Sequence, residues 1–279
     1  MIFIAYHPCY ELELPRGHRF PMDKYPMLKK QLIYEGTFSN ENFFFPKKID
    51  RNIVEKVHNK NYVQKLLTLS LNKSEIRRIG FPFNKKLIDR EMTIAGGTLE
   101  CCIRAFENGI SLNVAGGTHH AFSNKGEAFC LLNDQAIAAQ YLINEYNLKK
   151  ILIIDLDVHQ GNGTAEIFRK NKKVFTFSMH GKKNYPFQKI KSDLDVELLD
   201  GTEDQQYLDI LNEKLNMIFD KIKPEFIFYL AGVDILKTDK LGRLSMTLEG
   251  CRLRDEIILN KCFERKIPVQ CSMGGGYSE

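Results

Sequence analysis

Ile151-Leu152-Ile153-Ile154-Asp155-Leu156-Asp157-Val158-His159-Gln160-Gly161-Asn162-Gly163 is the stretch on which the reading of this chain turns. Its apolar start, Ile151–Leu156, does not alternate with polar residues, which marks a strand covered on both faces. On a strand, residues two apart face the same side. Asp155, Asp157 and His159 therefore project together, while Leu156 and Val158 turn into packing. A single carboxylate among isoleucines reads equally as a satisfied core residue. Three polar groups on one face are expensive to bury unless they coordinate something, so the segment points to a metal. Gln160-Gly161-Asn162-Gly163 then forms a tight turn that lets backbone approach the site.

Outward from this strand, similar short apolar runs recur at Ile2–Ala5, Leu112–Ala115, Val174–Ser178, Phe226–Ala231 and Val269–Met273. Helical spacing of apolar residues is seen at Asp134–Tyr146 and Tyr207–Ile222, and Asp50–Leu71 and Glu91–Asn108 also look helical. Alternation of strand and helix predicts one α/β domain with a central parallel sheet flanked by helices. Pro8, Pro15, Pro21 and Pro26 are expected to break the early segment into loops packed near the sheet's active edge.

In such sheets ligands sit outside the carboxyl ends of the strands. His119 and His120, then Asp155, Asp157 and His159, then Ser178 and His180, then Asp234, then Tyr277 each end or follow one of these runs. Asp234 is the natural third ligand to Asp157 and His159, although an Asp at a strand end also suits a helix N-cap. Two carboxylates and one imidazole leave an open position, as in a catalytic rather than a structural zinc site. Zinc there lowers the pKa of its water and polarises a carbonyl. The pair His119-His120 follows Gly116-Gly117, which permits close approach. One imidazole can take a proton from water while another group protonates the leaving amine. Asp155 and Asn162 are the candidates to fix the imidazole tautomers. Tyr277, after Gly274-Gly275-Gly276, can donate a hydrogen bond to an oxyanion.

Composition excludes several other classes. The chain has 279 residues and 43% hydrophobic content, enough for one large domain without staples. Its seven cysteines include no CxxC pair and read as buried, reduced thiols. The net charge of +5 comes from dispersed lysines, not from the clustered, aromatic-interleaved pattern of a nucleic-acid groove. Met1–Tyr6 reads as a first strand rather than a signal peptide, and no apolar run approaches the roughly 18 residues of a membrane span. The expectation is a soluble, cytoplasmic protein with no direct nucleic-acid or membrane partner; the sequence leaves its oligomeric state open.

Taken together, Gly116-Gly117-Thr118-His119-His120, Phe129-Cys130-Leu131-Leu132-Asn133-Asp134, Asp155–Thr164, Ala231-Gly232-Val233-Asp234 and Gly274-Gly275-Gly276-Tyr277 resemble the histone deacetylase family, which includes acetylpolyamine amidohydrolases and acetoin-utilisation-type proteins. His58–Tyr62-Val63 adds a further matching segment. Asn162, Gly201-Thr202-Glu203-Asp204 and the run from Asp234-Ile235-Leu236 through Asp239 to Leu241-Gly242 look most like the class IV branch and its bacterial relatives. The resemblance covers nearly the whole chain. It implies an arginase/deacetylase-like sheet of about eight parallel strands. It implies zinc on Asp157, His159 and Asp234, an acid/base pair in His119 and His120 backed by Asp155 and Asn162, and Tyr277 polarising the acyl carbonyl. It also implies potassium held by Asp155, Ser178 and Met179 with the backbone of Asp157 and His159, and a second potassium at the backbone near Phe168, Asn171 and Val174. Phe129 and Tyr185 would line the substrate tunnel, with Ala128 offering a carbonyl and Leu241 narrowing the wall.

Three departures stand out. Asn162 replaces the Asp common in other branches; a neutral amide stabilises imidazolium less, which favours His120 as the base. The segment between Leu71 and Met92 is too short for the usual acidic rim residue, so none is assigned. The chain ends two residues after Tyr277, where relatives continue with a helix, so the single catalytic domain over 1–279 is expected to lack that helix; a frayed end would leave Tyr277 poorly held. The function expected is a zinc-dependent deacylase of N-acyl-lysine in proteins. The alternatives are a deacetylase of small acetylated amines, for which Glu11 and Glu13 would supply acidic positions while Lys182-Lys183 would oppose it, and an inactive acyl-lysine binding module. An arginase-like ureohydrolase would need two metals and leaves the paired histidines and Tyr277 without a role. Iron(II) suits the same ligands.

Overall fold

The computed structural model describes residues 1–278. Eight strands form one sheet: β1 (Phe3–Ala5), β2 (Phe43–Phe44), β3 (Ile110–Asn113), β4 (Ile151–Asp155), β5 (Val174–Gly181), β6 (Leu194–Leu198), β7 (Phe226–Leu230) and β8 (Val269–Ser272). Their order is β2-β1-β3-β8-β7-β4-β5-β6, and every pairing is parallel. The expected eight-stranded parallel sheet is borne out.

Side-chain alternation along β4 sets the layers. Ile151 and Ile153 enter a core shared with helices α5 (Lys85–Asn108) and α6 (Asp134–Glu145). Leu152 and Ile154 enter a second core, shared with α8 (Asp204–Ile222) and α9 (Leu248–Glu264). All four are almost fully buried, and each such side chain stabilises the fold by roughly 1.5–3 kcal/mol. A strand apolar on both faces can sit only in the middle of such a three-layer sandwich.

Six strands were readable in the sequence; β2 and β6 were not. Both lie at sheet edges: β2 has only two residues, and β6 is partly exposed, so neither carries a continuous apolar run. The segment Asp50–Leu71 is not one helix but α2 (Arg51–Val54) and α3 (Lys60–Leu67). Asn59 divides them: its side chain accepts from Asn61 N, and its own N–H donates to Ser123 O. α5 starts earlier than expected, at Lys85, because Asn84 caps it by accepting from Leu87 N. Pro26 does not break the chain; it lies in the first turn of α1 (Lys24–Tyr34), where a missing N–H costs no helical bond. Short helices α4 (Lys73–Ile79) and α7 (Asn162–Phe168) complete the set. All seven cysteines are free, and among the described residues no helix is long and apolar enough to cross a membrane.

The long connection after β3 is strapped down by α2 and α3. The ring of His58 bonds through Nδ1 to Phe122 O at 2.9 Å, and its Nε2 accepts from Asn133 N at 3.0 Å. Tyr62 donates its hydroxyl to Leu131 O at 2.8 Å. His58 must be neutral to make both bonds, and burial pushes it down to about 4. An unfolded histidine titrates near 6.5, so this contribution to stability is complete above about 6.5 and is lost as pH falls through about 4. His58→Leu should therefore be less stable than the parent at pH 7.5, and the gap should narrow by roughly 3 kcal/mol by pH 4 in urea unfolding. A gap that does not change with pH would rule out the neutral strap.

Candidate active site and metal-binding group

Because all strands are parallel, their carboxyl ends share one rim. The four central neighbours β3, β8, β7 and β4 carry the chemistry there: His119-His120 follow β3, Tyr277 follows β8, Asp234 follows β7, and Asp157 and His159 follow β4. Register places Asp155 on β4 beside Leu230 on β7, so the chains leaving the two strands start side by side.

Asp157, His159 and Asp234 form a buried group whose ligand atoms lie close enough together to hold one metal ion. His159 Nδ1 is 3.0 Å from Asp157 Oδ1 and 3.0 Å from Asp234 Oδ2. Backbone donors fix the carboxylates. Asp157 accepts from His159 N at 2.9 Å and Gly275 N at 2.8 Å, and Asp234 accepts from Val158 N at 2.9 Å. Gly275 is obligatory, since a Cβ there would lie 2.1 Å from Asp234 Oδ2.

The electrostatics show what this group lacks. Burial, and then repulsion from Asp157, pushes Asp234 up to about 7. Burial opposes ionisation of Asp157 too, yet the charges of His119 and His159 hold it well below the usual carboxylate range. Burial would lower His159, but its bonds to Asp157 and Asp234 raise it to about 10. Two buried carboxylates thus demand a positive charge, either a proton on His159 or a cation that displaces it. The oxygen and imidazole donors, three in number, suit a divalent transition metal with a coordination position left open.

The two histidines are held differently. His119 Nδ1 bonds Asp155 Oδ2 at 2.7 Å, and His120 Nδ1 bonds Asn162 Oδ1 at 2.7 Å. Asn162 Oδ1 also accepts from Gly163 N, so it is an acceptor; His120 therefore donates from Nδ1 and keeps Nε2 free. The start of α7 supports the same turn: Gly163 N and Thr164 N both donate to His119 O. Burial lowers both rings. The charges of Asp155 and Asp157 overcome this at His119 and raise it to about 9, whereas His120, beside charged His119 and His159, stays well below its ordinary value. The ring centroids of the two lie 4.1 Å apart.

Tyr277 closes the far side, its ring centroid 6.4 Å from that of His159. Burial and then the Asp157 charge push its phenol well up, so it is a donor. A cavity of 210 Å³ leads to His120, His159 and Tyr277, and Ala128, Phe129, Tyr185 and Leu241 line it. The ring of Tyr185 stands edge-on to His120 at 4.9 Å. Ala128 and Phe129 both take left-handed backbone, φ +44° and +67°, pinned by Ala128 N to Arg78 O and Phe129 N to Ile79 O. Strain of this kind collects where a side chain must be aimed. Every tunnel residue named from the sequence lies on this cavity.

Residues 18–279 match the histone deacetylase domain. The chain belongs to the histone deacetylase family. It is 43% identical over 276 residues to an uncharacterized protein of Picosynechococcus, covering 99% of this chain and 92% of that one. It is 28% identical to histone deacetylase 2 of Arabidopsis thaliana (99% and 74% covered) and 26% identical to the acetoin utilization protein AcuC of Staphylococcus xylosus (83% and 66%). Among solved structures, an HDAC homolog complexed with SAHA superposes with TM-score 0.86 at 22% identity, over 99% of this chain and 79% of that one. That likeness shows the fold. The family's members are deacetylase hydrolases, and the group able to hold a metal ion sits where the family motifs of this chain converge.

Four supporting residues escaped the sequence reading as parts of this site. Asp239 accepts from Tyr277 N at 2.6 Å, and from Leu241 N and Gly242 N at 2.8 Å each, so it ties the tyrosine's loop to the tunnel wall. Lys24 donates to Gly274 O at 3.2 Å and lies 5.6 Å from the centre of the Tyr277 ring. Phe20 packs edge-on to that ring at 6.0 Å. Contacts from Asp239, Lys24 and Phe20 therefore hold the Tyr277 loop and ring.

The fourth is Arg254 of α9, with no exposed surface. Its guanidinium donates to Gly232 O at 2.5 Å, and to Leu156 O and Ala231 O at 3.4 Å each. Leu156 immediately precedes Asp157, and Ala231 and Gly232 lie three and two residues before Asp234, so one rigid fork ties together both chain segments that lead to the carboxylates. Such outer contacts are typically worth 10–100-fold in metal affinity. Arg254→Met should weaken divalent-metal binding by about tenfold or more in competition with a chromophoric chelator, with Arg254→Lys recovering part of the loss. Unchanged affinity in a folded variant would exclude this role.

Proposed function

We propose that this chain is a zinc-dependent amidohydrolase that removes an acetyl or other acyl group from N-acyl-lysine. The observation that carries the reading is that Asp157, His159 and Asp234 lie close enough to hold one ion, that His159 also lines a narrow cavity with His120 and Tyr277, and that His119 lies against His120. Asp157, His159 and Asp234 would hold the metal, which when bound supplies Lewis-acid activation of water and of the acyl carbonyl; iron(II) fits the same donors.

The chain's own groups do the rest. His120 takes the proton of the attacking water at Nε2, since its Nδ1–H is committed to the neutral amide of Asn162. His119, whose charge is supported by Asp155, protonates the departing lysine amine. Tyr277 donates its hydroxyl to the carbonyl oxygen as negative charge develops there. Phe129 and Tyr185 enclose the aliphatic stem of the acyl-lysine, Leu241 narrows the entrance, and the Ala128 carbonyl accepts its N–H. Potassium is proposed beside Asp155 and Ser178, which are direct partners across β4 and β5, with Met179 next in the strand. A second potassium is proposed at the backbone of Phe168, Asn171 and Val174, where the Phe168 and Asn171 carbonyls each accept one backbone N–H.

Deacetylation of small acetylated amines keeps the same chemistry. Intact metal-binding and proton-transfer groups weigh against an inactive binding module.

Release of acetate from an acetyl-lysine peptide, with zinc present, tests the reading. His120→Ala and Tyr277→Phe should each lose about 100-fold or more in kcat, and Asp157→Ala should lose metal and turnover together. Chelation should abolish activity, and added zinc should restore it. Equal turnover by the parent and all three variants would exclude the assignment.

A further inference from the structure

The entrance of the cavity has a charge that the chemistry at its base does not require. Arg19, Lys183 and Arg243 line it, and among the described residues no carboxylate lines it with them. Lys183 Nζ and Arg243 share the single carboxylate of Asp200, at 3.6 and 3.4 Å, with 68% and 53% of their side chains exposed. Arg19 makes no ion pair among the described residues; its guanidinium lies 5.0 Å from the centre of the Phe129 ring, itself a wall of the tunnel. One carboxylate thus serves two of the three cations that line the entrance. The nearby acidic residues are already paired: Glu127, beside the Tyr185 hydroxyl, lies 3.5 Å from Lys125, and Glu197 lies 3.6 Å from Lys182. Glu11 and Glu13, the acidic positions that would favour a polyamine, line a different cavity with Asp23 and Asp89 and do not touch this entrance.

Resting on the amidohydrolase reading above, we propose that this mouth selects acyl-lysine segments whose flanking residues are acidic, and rejects polycationic acyl-amines and Lys- or Arg-rich tails. An extended chain advances about 3.3–3.6 Å per residue, so side chains one or two places from the acyl-lysine pass over Arg19, Lys183 and Arg243. Charges on such a rim act on encounter and register rather than on the chemical step, and salt screens them. The selectivity therefore resides mainly in KM and in peptide affinity.

The test uses one acyl-lysine peptide made with Glu, Gln or Lys at the two flanking positions on each side. Binding to the zinc-loaded protein is read by fluorescence anisotropy, and turnover is read in parallel. The expected order is Glu, then Gln, then Lys, with about tenfold between the extremes at low ionic strength. The spread should shrink to about twofold at 0.5 M salt. Lys183→Glu together with Arg243→Glu should reverse the order. Turnover of all three peptides without a charge order overturns this inference and leaves the hydrolase reading intact. A charge order in binding without turnover of any peptide supports the mouth and sinks the hydrolase reading. Failure of the acidic peptide to bind, or its ready displacement by a random-sequence oligonucleotide with no effect of flank charge, also overturns it.

Discussion

Two buried carboxylates held against one imidazole constrain the rest of this molecule. Asp157 and Asp234 each lie 3.0 Å from His159 Nδ1, and neither is exposed to solvent that could screen it. Uncompensated, such a pair would cost several kcal/mol per charge. The fold meets part of that cost with directed dipoles and a neighbouring imidazolium: the N–H groups of Val158, His159 and Gly275, and His119 beside Asp157. What remains unmet is a cation between the carboxylates. The same deficit that makes the site awkward for the free protein makes it suited to a divalent metal.

Around this centre the differences between similar side chains come from their partners. His119 and His120 are adjacent and equally buried, yet one leans on a carboxylate and the other on an amide. A charge stabilises imidazolium far more than a neutral acceptor does, so the two rings are pushed apart in basicity. The turn that carries them is itself clamped by His58, Tyr62 and the start of α7, and the left-handed pair Ala128-Phe129 is pinned by the end of α4. Rigid support of this kind lets a small cavity be aimed at one point.

Much of this was legible beforehand, and the reasons are local. Period-two spacing put Asp155, Asp157 and His159 on one face, and six apolar runs marked the buried strands. What was not legible came from elements whose signal is weak in one dimension. β6 is an edge strand with one exposed face, β2 has two residues, and α9 buries only part of its surface. The single helix expected over Asp50–Leu71 failed because the Asn59 backbone bonds Ser123, a residue far along the chain. Arg254 was silent for the same reason: an arginine on a helix usually reads as solvated, and only its contacts with strand-end carbonyls show otherwise.

By itself the sequence determined the fold class, the residue types at the site and the pairing of histidines with orienting acceptors, because those follow from periodicity and from the cost of burying polar groups. Strand spacing left open whether Asp155 or Asp234 completed the metal group. The family motifs pointed to Asp234, and the tertiary structure brings its atoms to the group. It orders β3, β8, β7 and β4 as neighbours, turns Asp155 toward His119, and brings Asp234 to His159 from 75 residues away. Likewise only the fold brings Arg19, Lys183 and Arg243 to one entrance while setting Glu11 and Glu13 apart. Strand order and loop packing depend on contacts between distant segments, and no spacing rule within a segment contains them.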